Sequence, residues 1–424
     1  MMKSFSIQSF GCRVNQAESF EWWEALQARG FKPEEEMQKS DLIIVNTCAL
    51  TAGAERDVRK FFNRVKRENP EARLIVTGCA VKRLAGDLKL NNQVEAVLPN
   101  EEKRRLPEII TGDKELTPQE LSRPGVRYQA GQAFRSRGLV KIQDGCDSFC
   151  SFCLIPRVRG RSVSRPLPEV LARVSELSSC GYREIVLAGV HLTAYGQDLN
   201  PSLSLLSLLK EATRAPGLGR IRLSSLDPRE TTDDLVDFIA SHEKICRHFH
   251  FALQHASARI LRLMGRQSVP EDYEKLLWRA REKSPLASLG ADIIVGFPGE
   301  EEEDFLTLYN FVARWPLTYL HVFPYSPRPG TAAATLPQIP ERIKKERARA
   351  LRDLGRAKNL AFRQAQAGKT LPAVVIRSRP GSSVEVLTTN YIRVLIKGSW
   401  QPGQEVEVRV QTVEPEATWG EAVF

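Results

Sequence analysis

Short runs of β-branched and leucine-type residues alternate with stretches whose apolar positions recur every three or four residues. In the first third, Ser4–Ser9, Asp41–Thr47 and Ala72–Thr77 read as strands. The last two are continuous apolar runs, the pattern of strands buried on both faces. Helical periodicity fills the intervals Gln16–Ala28 and Gly53–Arg67. This βαβαβ order predicts an open parallel sheet, which gathers its ligands at the carboxyl ends of the strands. The stretch Pro99–Arg137 is polar and lacks a period, and reads as a linker.

A second series begins at Gly138. Strands are expected at Leu139–Gln143, Glu184–Ala188, Arg220–Ser224, His248–Ala252, Ala291–Val295 and Thr318–Phe323, with helical segments between them. Six such units predict a partial, open version of a β/α barrel, with function again at the carboxyl ends. A long helix follows over Pro340–Lys369. Ten Lys and Arg residues along it, among them Lys344, Arg347, Arg352, Lys358 and Arg363, oppose only Glu341, Glu346 and Asp353. Like charges at helical spacing repel, so this helix is expected to face phosphates. Short alternating segments at Ala373–Arg377, Ser383–Leu387, Tyr391–Ile396 and Glu405–Val413, separated by Gly, Pro and Ser, predict a small β-barrel.

Composition narrows this picture. With 424 residues the chain exceeds one hydrophobic core, and 42% apolar with 26% charged residues is ordinary for folded protein. The formal net charge of +10 points either to a polyanionic partner or to a basic solvated surface. No apolar run reaches the length of a membrane span, and the first residues lack a signal-peptide core, so a cytoplasmic location with reduced thiols is expected.

Eight cysteines then call for metal or catalysis rather than disulfides. Cys12, Cys48 and Cys79 each directly follow one of the first three strands, so topology brings them to one sheet edge. Cys146, Cys150 and Cys153 lie within eight residues, with no histidine near. Thiolates suit iron–sulfur clusters or zinc, but structural zinc takes four closed ligands. Three thiolates on a cubane leave one iron open. Cys180 and Cys246 stand alone and read as small buried apolar residues.

The spacing Cys146-x3-Cys150-x2-Cys153, with Phe152 before the last cysteine, resembles the radical S-adenosylmethionine superfamily. That likeness implies a [4Fe-4S] cluster whose open iron chelates S-adenosylmethionine, and a 5′-deoxyadenosyl radical released on reduction. Gly189, Ser224, Ser225, Asp292 and Gly296, at or near strand ends, are expected to line the cofactor's pocket. Over nearly its whole length the chain resembles the methylthiotransferases of that superfamily. The matching blocks are Gly11–Ser19, Asn46-Thr47-Cys48, Thr77-Gly78-Cys79, Val295–Glu300 and Phe323–Thr331.

The resemblance implies three domains: 1–120 with an auxiliary cluster, 132–365 as a partial (β/α)6 radical-SAM barrel with the basic helix, and 366–424 as a TRAM-like RNA-binding barrel. It implies a second [4Fe-4S] cluster on Cys12, Cys48 and Cys79 that supplies sulfur. The segment Arg13-Val14-Asn15-Gln16 is similar to the branch acting at C2 of N6-threonylcarbamoyladenosine, next to the tRNA anticodon (position 37). Partners implied are the tRNA anticodon stem-loop and an electron donor such as flavodoxin or ferredoxin. Asn390–Val394 carries the TRAM likeness, and Arg157, Arg159, Arg161 and Arg165 are expected to meet RNA. Ala256-Ser257-Ala258 stands where the family usually has Gly-Ser-Asp, which leaves the roles of Gln254 and His255 open. Isopentenyladenosine in tRNA, an aspartate of a ribosomal protein, and a non-catalytic iron–sulfur RNA-binding protein stay as alternatives.

Overall fold

The computed structural model describes residues 3–112, 136–379 and 382–423. They fall into two compact units. The first holds residues 3–112 with 144–147 and 153–161, and the second holds the remainder.

The first unit is a five-stranded, all-parallel sheet. Its strands are β1 (Ser4–Ser9), β2 (Lys32–Pro33), β3 (Leu42–Thr47), β4 (Arg73–Gly78) and β5 (Val94–Leu98), in the order β2-β1-β3-β4-β5. β3 is buried at every position, as its unbroken apolar run predicts. The helix Ala52–Glu68 lays Val58, Phe62 and Val65 on the sheet and starts at Thr51, whose hydroxyl accepts the Ala54 N–H. β5 pairs with β4 although its exposure alternates, so the sheet extends past the three strands read from sequence. The polar stretch after Pro99 contributes a helix at Leu106–Thr111 rather than linker alone, and residues 113–135 of the expected linker lie outside the described residues.

The second unit opens with a partial barrel: β6 (Gly138–Asp144), the short β7 (Val163–Ser164), β8 (Glu184–Gly189), β9 (Arg220–Leu223), β10 (His248–Gln254), β11 (Ser288–Val295) and β12 (Tyr319–Pro324). The strands form β7-β6-β8-β9 and β10-β11-β12, joined by the bridges Ile221–Ile245 and Leu226–Phe251. All six expected barrel strands are present.

The basic helix spans Glu341–Gln364, and it departs from the expectation that it faces phosphates. Lys344 is buried against Glu341, and Arg347 is buried between Glu300 and Glu302. Arg352 donates to the Val322 carbonyl, Lys358 to that of Ala313, and Arg363 to those of Glu414, Pro415 and Ala417. With Arg342 on Glu346 and Arg356 on Asp353, seven of its nine cations satisfy protein carbonyls or carboxylates, which a charge count along the sequence does not show.

The chain ends in a closed barrel, β13 (Thr370–Arg379), β14 (Ser383–Thr388), β15 (Arg393–Lys397), β16 (Glu405–Val413) and β17 (Thr418–Val423), ordered β13-β14-β15-β17-β16. Its core is aliphatic, from Leu371, Val375, Val386, Val394, Ile396 and Val408 among others. No helix among the described residues is long and apolar enough to cross a membrane.

Candidate active site

Within the first unit the three strand-end cysteines meet at the carboxyl edge of the sheet. Cys12 caps the helix Arg13–Ala28, while Cys48 and Cys79 follow β3 and β4 and are buried. Hydrogen bonds pin the three loops together. Thr47 donates its hydroxyl to the Thr77 carbonyl at 2.7 Å and accepts the Ala80 N–H at 3.2 Å. Asn15 donates to the carbonyls of Phe10 at 2.8 Å and Thr47 at 2.9 Å. Gly11, at φ +91°, passes so near Cys48 that a Cβ there would sit 2.5 Å from its sulfur. Only glycine allows that approach.

These thiols sense one another. Burial raises the Cys12 thiol, opposed by the Arg159 guanidinium and reinforced by Cys79. Burial likewise pushes Cys48 up to about 12, with Cys12 and Cys79 adding to the rise. Free thiolates are therefore costly here, and a bound cation that accepts them relieves that cost.

Arg159 is the main cationic partner. Its Nε lies 3.2 Å from Cys79 Sγ, and its terminal nitrogens reach Glu18 at 3.2 Å, Asp144 at 2.7 Å, and Asn15. Its side chain is 1% exposed, so the expectation that it contacts RNA is corrected: it is a buried counter-charge to the thiol edge. Glu18 also takes Lys103 at 2.8 Å. Arg157 and Arg161 are exposed, and Arg161 pairs with Asp147.

The second cysteine group lies on the loop after β6. Gly145 (φ +68°) turns the chain there, and a Cβ would fall 1.8 Å from the Arg161 carbonyl oxygen. The Cys146 N–H donates to the Gly160 carbonyl, and Cys153 Sγ accepts the Ile155 N–H at 3.4 Å. Within the second unit, Ser151 is fixed by its N–H to Met264 O (3.0 Å), its hydroxyl to Leu263 O (2.8 Å) and its carbonyl from Ala333 N–H (2.8 Å). A Cβ at Gly265 would stand 3.7 Å from the Cys150 Cα. Phe152 meets Phe297 edge-on in an apolar cluster, whereas Phe149 is 74% exposed.

Two further cations face Cys150. Arg229 pairs with Asp227 and reaches Ser148 Oγ at 3.2 Å, and Arg266 donates to both Asp227 oxygens at 3.1 Å. The Asp227 hydrogen bond holds the Arg229 proton tightly, and Cys150 adds to the hold. The sequence reading missed this Asp–Arg–Arg cluster, because its members lie in loops with no periodic signal.

Of the five residues expected around the cofactor, two are joined directly. Gly189 and Ser224 are brought together, the Gly189 N–H lying 3.5 Å from Ser224 Oγ, with half-buried Ser225 following. Gly296 (φ +68°) is packed beneath Lys344, whose Cγ a Cβ would meet at 2.3 Å, and its N–H bonds Glu300 at 2.7 Å. Asp292 lies mid-strand, held by His250 and His321. His255 is fully buried, accepts the Ser257 N–H at 2.9 Å and has its Nε2 3.5 Å from the Glu300 carboxylate. Gln254 ends β10 at φ +67°, a conformation uncommon for a side chain of that size.

Residues 4–99 match the family described as "Uncharacterized protein family UPF0004", and 140–312 match the Radical SAM superfamily. "Threonylcarbamoyladenosine tRNA methylthiotransferase MtaB" of Aquifex aeolicus is 36% identical, covering 96% of this chain and 99% of that protein. The Bacillus subtilis protein of the same name is 31% identical, over 96% and 94%. A "tRNA-2-methylthio-N(6)-dimethylallyladenosine synthase" of Moorella thermoacetica is 35% identical, over 88% and 87%. Among solved structures, the radical S-adenosylmethionine methyltransferase TsrM of Kitasatospora setae shares the fold, with TM-score 0.56 and 16% identity over 79% of this chain and 77% of that one. With two thiol groups at strand ends and relatives above 30% identity along almost its full length, the chain belongs to the radical S-adenosylmethionine methylthiotransferase family.

Proposed function

We propose that this enzyme transfers a methylthio group to C2 of N6-threonylcarbamoyladenosine beside the tRNA anticodon, using S-adenosylmethionine and two iron–sulfur clusters. The observation that carries the reading is the first unit's thiol edge, where Cys12, Cys48 and Cys79 converge around a buried guanidinium. Three soft donors gathered at one buried edge fit a polynuclear iron–sulfur group. Cys146, Cys150 and Cys153, within the stretch that matches the Radical SAM superfamily, would hold the cluster of that superfamily. When bound, the two clusters supply the electron that opens S-adenosylmethionine and the site from which sulfur is delivered.

The chain's own residues set the conditions. Arg159 sets a buried positive charge beside Cys79, and Arg229 and Arg266 do so beside Cys150. Ser151 locks the loop backbone around Cys150 to Met264 and Ala333. The names of the relatives from Aquifex aeolicus and Bacillus subtilis favour threonylcarbamoyladenosine over the dimethylallyl base.

Anaerobic reconstitution should yield about eight irons and eight sulfides per chain. The Cys48→Ala variant should still form 5′-deoxyadenosine while making no methylthio product. Mass spectrometry of digested tRNA from a deletion strain should show the hypermodified adenosine without its methylthio group. Product formation at the normal rate by Cys48→Ala, or retained methylthiolation in the deletion strain, would refute the proposal.

A further inference from the structure

The inner face of β10, β11 and β12 carries polar side chains where a buried strand would ordinarily carry apolar ones. Leu320 packs on the basic helix, within 3.2 Å of where a Gly355 Cβ would stand, so alternation turns Tyr319, His321 and Phe323 to the opposite face. The parallel register sets Asp292 beside His321 and Gly290 beside Tyr319, and sets His250 beside Gly290. Gly290 makes room for the tyrosine, whose ring carbon would lie 2.0 Å from a Cβ there. His248, His250, Asp292, Tyr319 and His321 therefore share one face.

Their protons can be placed. Asp292 Oδ1 lies 3.0 Å from His250 Nε2 and 3.1 Å from His321 Nδ1, and a carboxylate only accepts, so both nitrogens carry hydrogen. His250 Nδ1 then accepts from the Tyr319 hydroxyl at 2.7 Å, whose oxygen accepts from His248 Nε2 at 2.8 Å. Burial works to raise the Asp292 carboxyl, but the two imidazoles outweigh it and hold it well below its usual range. The result is an anchored anion with hydrogen-bonded imidazoles on either side. His321 Nε2 has no hydrogen-bond partner among the described residues, and its side chain is half exposed, at 49%.

We propose that this face is the recognition site for the substituent on N6 of the substrate adenosine, with His321 Nε2 hydrogen-bonding the polar threonylcarbamoyl group. That group offers a ureido N–H, a hydroxyl and a carboxylate. Neutral His321 accepts from the first two, and the imidazolium donates to the third. A dimethylallyl group offers only C–H and would bury His321 Nε2 without a partner, so the face also works against it. The inference rests on threonylcarbamoyladenosine being the substrate, and it deepens that reading by naming the residues that select it. The three ligand atoms of His250, Asp292 and His321 lie within 4.8 Å of one another, a spacing a cation could bridge. The hydrogen-bond pattern closes without one.

The test is equilibrium binding of reconstituted full-length enzyme to labelled anticodon stem-loop RNAs carrying threonylcarbamoyladenosine, dimethylallyladenosine or adenosine. Wild type should prefer the threonylcarbamoyl RNA over the unmodified RNA by about tenfold. In His321→Phe, and separately in Asp292→Asn, that ratio should fall below about twofold. A ratio is read, so a general loss of binding does not imitate the effect. If wild type discriminates and both variants keep the tenfold ratio, the recognition face is wrong while the substrate reading stands. If wild type neither discriminates nor methylthiolates the threonylcarbamoyl RNA, both fall. One equivalent of a non-iron divalent metal in wild type, lost in His321→Phe, would also overturn the hydrogen-bonding assignment.

Discussion

Gly145 shows how much a single backbone position governs here. Its positive φ, and an Arg161 carbonyl oxygen 1.8 Å from where a Cβ would stand, leave no space for a methyl group. Gly145→Ala should therefore displace the loop that begins with Cys146 and lower reconstituted iron from about eight to about four per chain. Arg159 makes the opposite point. A polar residue among other arginines reads from sequence as a surface charge, yet it is buried against Glu18, Asp144 and Cys79. Arg159→Met removes one partner of a buried ionic network, which costs on the order of 3–5 kcal/mol. The expected outcome is a lower urea midpoint for the first unit, measurable by circular dichroism on the apoprotein. Sequence could not reveal this burial, because tertiary placement decides whether a cation faces water or a thiolate.

At the scale of elements, the barrel strands were legible to within three residues, since each is a short run with alternating or continuous apolar residues between turn signals. The helix–strand alternation also located the cysteines at strand ends. What stayed hidden was cross-strand pairing. His250, Asp292 and His321 are far apart in sequence and meet only through register. A faint signal existed: His248 and His250, and Tyr319 and His321, are polar residues at period two within otherwise apolar strands. β5 and β17 were missed because both are short and largely half-exposed. Thr47 ties β3 to β4 through two hydrogen bonds, each contributing about 0.5–1.5 kcal/mol. Thr47→Val, similar in shape, should cost about 1–3 kcal/mol by leaving the Thr77 carbonyl and Ala80 N–H without that partner, and denaturant titration would show it.

Across the second unit, Glu184 joins the partial barrel to the closed one. It is fully buried, pairs with Arg222, Arg137 and Arg220, and lies 3.8 Å from Cys246 Sγ. Arg222 continues to the carbonyls of Thr388 and Thr389, and Arg220 to that of Ala373. Burial would raise the Glu184 carboxyl, but these arginines hold it down at about 2. A carboxyl lowered on folding stabilises fully above its unfolded value and loses that contribution as pH falls toward the folded one. Stability should therefore decline between about pH 4.5 and pH 2, by on the order of 3 kcal/mol from this group. Glu184→Gln should flatten that decline in urea titrations followed by tryptophan fluorescence, at the expense of lower stability at neutral pH. The turn at Asn390 and Tyr391 takes part in the same junction. Asn390 donates to the Leu286 carbonyl at 3.0 Å, and the Tyr391 ring stacks on His248 with centroids 4.1 Å apart. On the recognition proposed above, the small barrel walls the face that selects the base, and cutting the chain after Lys369 would strip that wall away. An enzyme shortened there should lose its choosiness among adenosines together with its grip on tRNA.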